Sequence, residues 1–319
     1  MKRFLMVVMF FLVTAVFVPI LVFYFVNISI NNNDLKYSPS NNNEIKVFFH
    51  NENIVKAMNI EEYLCGVVAA EMPATFKDEA LKAQAVAARS YAYYRKNYPT
   101  EAHQGADVCT DYTHCKAYRT EDECMNSWGD DGKEYMEKIK NAVFSTEGEI
   151  LTYDGEVAMA VFHSQSGGGR TENSEDVWGG EVPYLVSVES YGEETAPNFY
   201  STVRISFEEF KCKLKENYSE LVLDSVSEIK TPVISDGGNV KKITVGNLDL
   251  EGKALRRIFD LRSTCFVIKS EGENIVFEVS GYGHGVGMSQ YGANAMAKDG
   301  RNYIEILRHY YTGTEISNV

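Results

Sequence analysis

Glu71 lies in the stretch Val67-Val68-Ala69-Ala70-Glu71-Met72-Pro73, among apolar neighbours and two residues before a proline. Asn59 with Glu62 three residues on resembles a capping box, and Leu64, Val67, Val68 and Glu71 recur at helical spacing. Met72 precedes Pro73 and is pushed out of helical geometry, so the helix should stop near Glu71. A carboxylate there meets the negative end of the helix dipole and apolar side chains, and both favour its protonated form. An acid that keeps its proton near neutral pH suits general acid catalysis, such as protonation of a glycosidic oxygen. A solvated Glu at an ordinary helix end would read the same way. A second helix is expected from Thr75 towards Lys96, with Asp78 in its first turn. It carries three candidate binding residues, Gln84, Arg89 and Tyr93. Arg89 and Tyr93, four apart, share a face, and Arg89 could hold a carboxylate or orient sugar hydroxyls. A surface arginine is the alternative.

A second constellation is His103, Cys109, His114 and Cys115. Four nitrogen and sulfur donors match a tetrahedral zinc site, and a complete protein ligand set implies a structural metal. Adjacent His114 and Cys115 can both bind only if the chain turns tightly there. A Cys109–Cys115 disulfide and chance clustering are the alternatives, and Cys124 is a possible substitute ligand.

Two further stretches end a strand in a Gly-rich turn. They are His163-Ser164-Gln165-Ser166-Gly167-Gly168-Gly169-Arg170, and Gly281-Tyr282-Gly283-His284-Gly285-Val286-Gly287-Met288-Ser289-Gln290-Tyr291-Gly292. Glycine lets the backbone approach a ligand, and Ser, Gln, His and Tyr are good partners for sugar hydroxyls. The glycine spacing fits neither a dinucleotide loop nor a P-loop. The chain contains no Gly-x-Ser-x-Gly elbow and no His-Glu-x-x-His motif.

The elements that position these residues begin with a short strand, Ile45–Phe49, then the two helices. Residues 99–135 read as irregular. Glu149–Tyr153 and Val157–His163 alternate like strands across Asp154-Gly155. Phe207–Tyr218 and Gly252–Leu261 read as helices, Lys241–Val245, Cys265–Lys269 and Ile275–Val279 as strands, and the tail from Met288 as helix. The expected fold class is α+β, a helical region followed by mostly antiparallel strands around a substrate cleft, in one domain spanning 44–319.

Lys2 and Arg3 precede an uncharged run of 23 residues, Phe4–Val26, where about 20 suffice to cross a bilayer. Residues 1–30 therefore read as a single-pass anchor with a cytoplasmic N-terminus, a cleaved signal being the alternative. Asn31–Asn43, rich in Asn and Ser, reads as a flexible linker to an extracytoplasmic domain. The chain has 31 basic and 45 acidic residues, a formal charge of −14. That acidity argues against nucleic acid as a partner and is compatible with an uncharged or cationic substrate.

Taken together, the Glu71 stretch, Glu79–Ala92, His163–Gly168, Leu261-Arg262-Ser263-Thr264 and Gly283–Gly292 resemble the stage II sporulation protein D family, in the right order and over residues 44–315. Ser90 stands where the family usually has Thr. The resemblance implies a peptidoglycan lytic transglycosylase acting on peptide-stripped glycan strands during engulfment, with Glu71 as acid and base. It implies that the reaction leaves 1,6-anhydro-N-acetylmuramic acid ends. Arg89 matches the family's Ala-Ala-Arg arginine. His103, Cys109, His114 and Cys115 match a structural zinc cluster of clostridial members, and no organic cofactor is expected. Ser164, Gln165, Ser166, His284, Ser289, Gln290 and Tyr291 would line the glycan groove. The implied partners are a wall amidase, stage II sporulation protein P, and a membrane scaffold, stage II sporulation protein M. The other reading the resemblance allows is a non-catalytic glycan-binding module that activates an amidase.

Overall fold

Strand β1 (Glu44–Phe49) opens the part of the chain described by the computed structural model, residues 43–319. It pairs antiparallel with β2 (Ile54–Asn59), which runs directly into α1 (Ile60–Glu71). Asn59 caps that helix, its side chain accepting from the Glu61 and Glu62 amides at 2.8 and 3.3 Å. Met72 is extended (φ −128°, ψ 134°), so the helix ends at Glu71, where Pro73 requires it to. Helix α2 (Asp78–Asn97) follows, its alanine-rich face buried against α1 and the elements that come later. Alanines let neighbouring backbones approach closely there, at no cost in helix propensity.

Strand β3 (Val108–Cys109) lies parallel to β1. Helices α3 (Glu121–Trp128) and α4 (Gly132–Phe144) then pack on α1 and α2. Strand β4 (Glu149–Tyr153) turns back on β5 (Glu156–Val157) through Asp154 and Gly155, both with positive φ, as a two-residue hairpin demands. After β6 (Phe162–His163) and the short α5 (Ser174–Trp178) the chain enters a second lobe.

That lobe comprises β7 (Tyr200–Ser206), α6 (Phe207–Asn217), β8 (Val233–Ile234), β9 (Val240–Val245), β10 (Leu248–Glu251), α7 (Gly252–Ile258), β11 (Phe266–Glu271) and β12 (Asn274–Ser280). Its two sheets, ordered β11-β12-β7 and β10-β9-β8, are antiparallel and enclose a separate apolar core. The chain then returns through β13 (Met288–Ser289), parallel to β6, into α8 (Gln290–Lys298) and α9 (Tyr303–Tyr310), and ends on β14 (Glu315–Asn318) beside β4. Glu44–Val319 form one compact unit.

Several expectations need correction. A helical region followed by mostly antiparallel strands does not describe the fold, which is mixed α/β with five small sheets among the described residues. Strands precede the first helix, helices and strands interleave, and two pairings, β1–β3 and β6–β13, are parallel. Those parallel partners lie far apart in sequence, where local periodicity gives no signal. The stretch read as irregular holds α3 and the start of α4. A single-pass membrane topology is likewise not supported. Among the described residues no helix is long and apolar enough to cross a membrane, and the segment expected to do so, residues 4–26, lies outside them. Even the 20-residue α2, though buried on every side from Ala83 to Ala92, carries Asp78, Glu79, Lys82, Arg89, Arg95 and Lys96 along its length.

Candidate functional site

Glu71, the last residue of α1, lines an open cavity of about 300 Å³. Residues 69–74 form one wall, and Arg119, Trp128, Ser164, Gln290 and Tyr291 line the rest. The amide of Ala117 donates to Glu71 Oε1 at 2.8 Å, fixing one carboxylate oxygen. The segment carrying Ala117 is itself locked onto α1. Arg119 N donates to Gly66 O, and the Tyr118 ring stacks on Tyr63 at 5.8 Å. A side chain at Gly66 would collide with Tyr118, its Cβ only 2.3 Å from the ring, which accounts for a glycine inside a helix. Lys116, on the other side of Ala117, is buried with Nζ 3.6 Å from the Phe162 ring centroid and 4.7 Å from that of Tyr91. Burial pulls its ammonium down to about 8, and the nearby Glu71 carboxylate pulls the other way.

The parallel bridge between β6 and β13 pairs His163 with Ser289 and lays the two Gly-rich stretches side by side. Gly287 (φ 71°) is required there, because a Cβ would lie 2.1 Å from Val161 O. Both stretches reach the cavity, one through Ser164 and the other through Gln290 and Tyr291. Behind them is a buried polar network. Glu193 Oε2 accepts from Ser166 N and from Ser289 Oγ, each at 2.7 Å, while Oε1 accepts from Ser190. Burial pushes the Glu193 carboxyl up to about 7, and these donors pull against it. His163 Nε2 lies 2.8 Å from Ser166 Oγ and Nδ1 lies 3.2 Å from Val286 O; burial pushes its imidazole down to about 4, so it is neutral near pH 7.

The expected site residues therefore divide. Glu71, Ser164, Gln290 and Tyr291 share the cavity. Gln165, Ser166 and Ser289 are buried behind it, Ser289 as the cap of α8. His284 stands beside His163 and Trp178, with ring centroids at 5.6 and 5.3 Å. Gln84, Arg89 and Tyr93 do not line the cavity. Arg89 does hold a carboxylate, but inside the core: it forks onto Glu61 with both side chains fully buried, and donates to Val143 O and Glu149 O. It thus joins α1, α2, α4 and β4. Gln84 is fully buried one turn earlier, and Tyr93 packs against the same core. Sequence reasoning missed Lys116, Arg119 and Trp128. Trp128 offered one signal, being one of only two tryptophans in the chain. The other two come to Glu71 only through the docking of Ala117.

His103, Cys109, His114 and Cys115 bring their donor atoms within 4.8 Å of one another, a group that could hold a metal ion. Four separations are 3.1, 3.1, 3.5 and 3.7 Å. Tetrahedral coordination at metal–ligand distances of about 2.0–2.3 Å gives edges of about 3.3–3.8 Å, so the donors fit a zinc-sized ion. The tight turn that adjacent His114 and Cys115 require is present: Asp111 O accepts from both of their amides, at 3.1 and 2.8 Å. The hydrogen bond between the two thiols pulls Cys115 down, towards a thiolate, and pushes Cys109, its donor, up. All six cysteines are free, and Cys124 stands outside the cluster, buried at the start of the α3–α4 packing.

A glutamate side chain at a helix end, opening on a polar cavity with an aromatic wall, defines a candidate binding site. A family model described as Stage II sporulation protein matches residues 49–153. Stage II sporulation protein D of Bacillus subtilis (strain 168) is 40% identical over 286 residues, covering 89% of this chain and 80% of that protein. The protein of the same name from Bacillus amyloliquefaciens is 38% identical, with the same coverage. The chain belongs to the stage II sporulation protein D family. It is also similar to a B. subtilis (strain 168) protein named Amidase enhancer, 29% identical across 80% of this chain and 40% of that one.

Proposed function

We propose that this sporulation-family protein acts on the cell wall as a lytic transglycosylase of peptidoglycan glycan strands, with Glu71 as its acid and base. The observation that carries the reading is that Glu71 lines a cavity reached by both Gly-rich stretches. Glu71 donates its proton to the oxygen between N-acetylmuramic acid and N-acetylglucosamine. It then accepts a proton from the 6-hydroxyl of the muramyl residue as that hydroxyl attacks its own anomeric carbon. The product ends in a 1,6-anhydro sugar. The attack is intramolecular, so no second carboxylate is needed to activate water. Glu71 is the only carboxylate among the residues lining the cavity, which supports this route over hydrolysis. Ser164, Gln290 and Tyr291 supply hydroxyl partners, and Trp128 an apolar ring for a sugar face.

On this reading His103, Cys109, His114 and Cys115 hold a structural zinc two residues before Ala117, the amide that anchors Glu71. Metal analysis tests that: Cys109→Ser should lower the zinc content of the purified chain, and an equal content would remove the assignment. The relative named Amidase enhancer supports a second reading, a glycan-binding module that stimulates a wall amidase such as stage II sporulation protein P. Mass spectrometry of peptide-free strands incubated with wild type and with Glu71→Ala separates the two. Anhydro-ended fragments from wild type alone are expected. Reducing ends would mean hydrolysis, and no fragments with binding retained would favour the amidase-linked module.

A further inference from the structure

Two cations flank the amide that anchors Glu71. Lys116 is spent on the rings of Phe162 and Tyr91. Arg119 is exposed and lines the same cavity as Glu71. Among the described residues its guanidinium has no ion-pair or hydrogen-bond partner, and only its backbone is tied, to Gly66 O. Glu123, one turn further on, gives Oε2 to the amide and hydroxyl of Thr120 and feels Arg119 as a nearby charge without forming an ion pair with it. Arg119 and Glu71 line the same cavity without forming an ion pair, and Glu71 Oε1 accepts instead from the Ala117 amide. Exposed to water, that guanidinium requires no partner in the chain, and its N–H donors stay available to an anionic group entering the cavity. A planar fork of N–H donors matches a carboxylate best.

On the glycan reading above, on which this inference rests, one group on the sugar qualifies. The lactyl ether of N-acetylmuramic acid ends in a carboxylate when no peptide is attached, and in a neutral amide when one is. We propose that Arg119 is the specificity-determining residue that selects muramyl units with a free lactyl carboxylate, seating that group while Trp128 meets the sugar ring. An amide at the same place offers no charge, and its N–H faces the N–H donors of the guanidinium.

The test uses the full chain carrying Glu71→Gln, so that ligands survive, and isothermal titration with two tetrasaccharides. Both alternate N-acetylglucosamine and N-acetylmuramic acid, one with free lactyl carboxylates and one with those groups converted to primary amides. A charge-assisted pair predicts that the acid form binds about 10- to 100-fold tighter. Adding Arg119→Gln should collapse the ratio towards one, Arg119→Lys should keep part of it, and raising the salt should shrink it. Equal binding of the two ligands before Arg119 is changed overturns the assignment and leaves the glycan site standing. A ratio that survives Arg119→Gln also overturns it, and gives the role to another cation. If neither ligand binds, the glycan reading fails and this inference falls with it.

Discussion

The lobe around Glu71 and the lobe from Tyr200 to Ser280 fill their interiors by different chemistry. The first buries Glu61, Arg89, His103, Lys116, His163, Glu172 and Glu193. The second, among the described residues, buries no charged side chain; Phe210, Phe259 and Phe277 pack ring on ring, with Phe259 5.0 Å from each of the others. Its few buried polar groups sit at the edge facing the first lobe, where Ser235 Oγ donates to Glu172 Oε1 at 2.8 Å. Buried ions cost several kcal/mol each unless they are paired and hydrogen-bonded, so an apolar core is the cheaper way to hold a fold. The first lobe bears that cost where ions orient backbone and side chains around the cavity.

Four variants sharpen or break the contrast. The largest effect is expected at Glu71. Glu71→Gln should lower glycan cleavage by about 10²- to 10⁴-fold while leaving the denaturation midpoint close to wild type. A variant that cleaves normally would remove the residue from the chemistry. Next is the buried ion pair. Arg89→Met strands Glu61 in the core and should cost about 3–5 kcal/mol in urea denaturation, much of it recovered by adding Glu61→Leu. A mild effect of the single change would mean that the pair is not the joint between α1, α2, α4 and β4. In the second lobe, Phe277→Ala should cost about 3–4 kcal/mol through lost packing and a cavity. A larger loss of cleavage than of stability there would tie that lobe to the glycan site.

The smallest effect is a pH slope. Burial raises the Glu193 carboxyl from 4.5 to about 7. A group raised on folding adds stability that is fully present below pH 4.5 and is lost as pH rises through about 7. Across that window Glu193→Gln should therefore gain on wild type by about 3 kcal/mol. A gap that does not move with pH would mean that its three donors hold Glu193 as an anion in the fold. His163, pushed down from 6.5 to about 4, works in the opposite sense, losing stability as pH falls below 6.5. It does not change in the comparison and so cancels.

Much of this molecule could be read from local pattern. The expected end of the first helix at Glu71, the Asp154-Gly155 hairpin and the strands on either side of Gly272 each follow from residues within a few positions of one another. Pro73 restricts Met72, positive φ selects Asp and Gly, and alternation marks a half-buried strand. The four donors near His103 were likewise evident from type and spacing. What the pattern did not convey is which polar residue meets which. Arg89 was expected at a ligand and is paired with Glu61, 28 positions away, because complete burial makes an unpaired guanidinium untenable. Ala117 lies 46 positions from the carboxylate it anchors, and Ser164 and Gln290 meet at one cavity only because β6 and β13 run side by side. Steric rules of the backbone act over a few residues and are written in neighbouring letters. The pairing of charges and the sharing of a cavity depend on how distant segments pack, and no short window of sequence contains them.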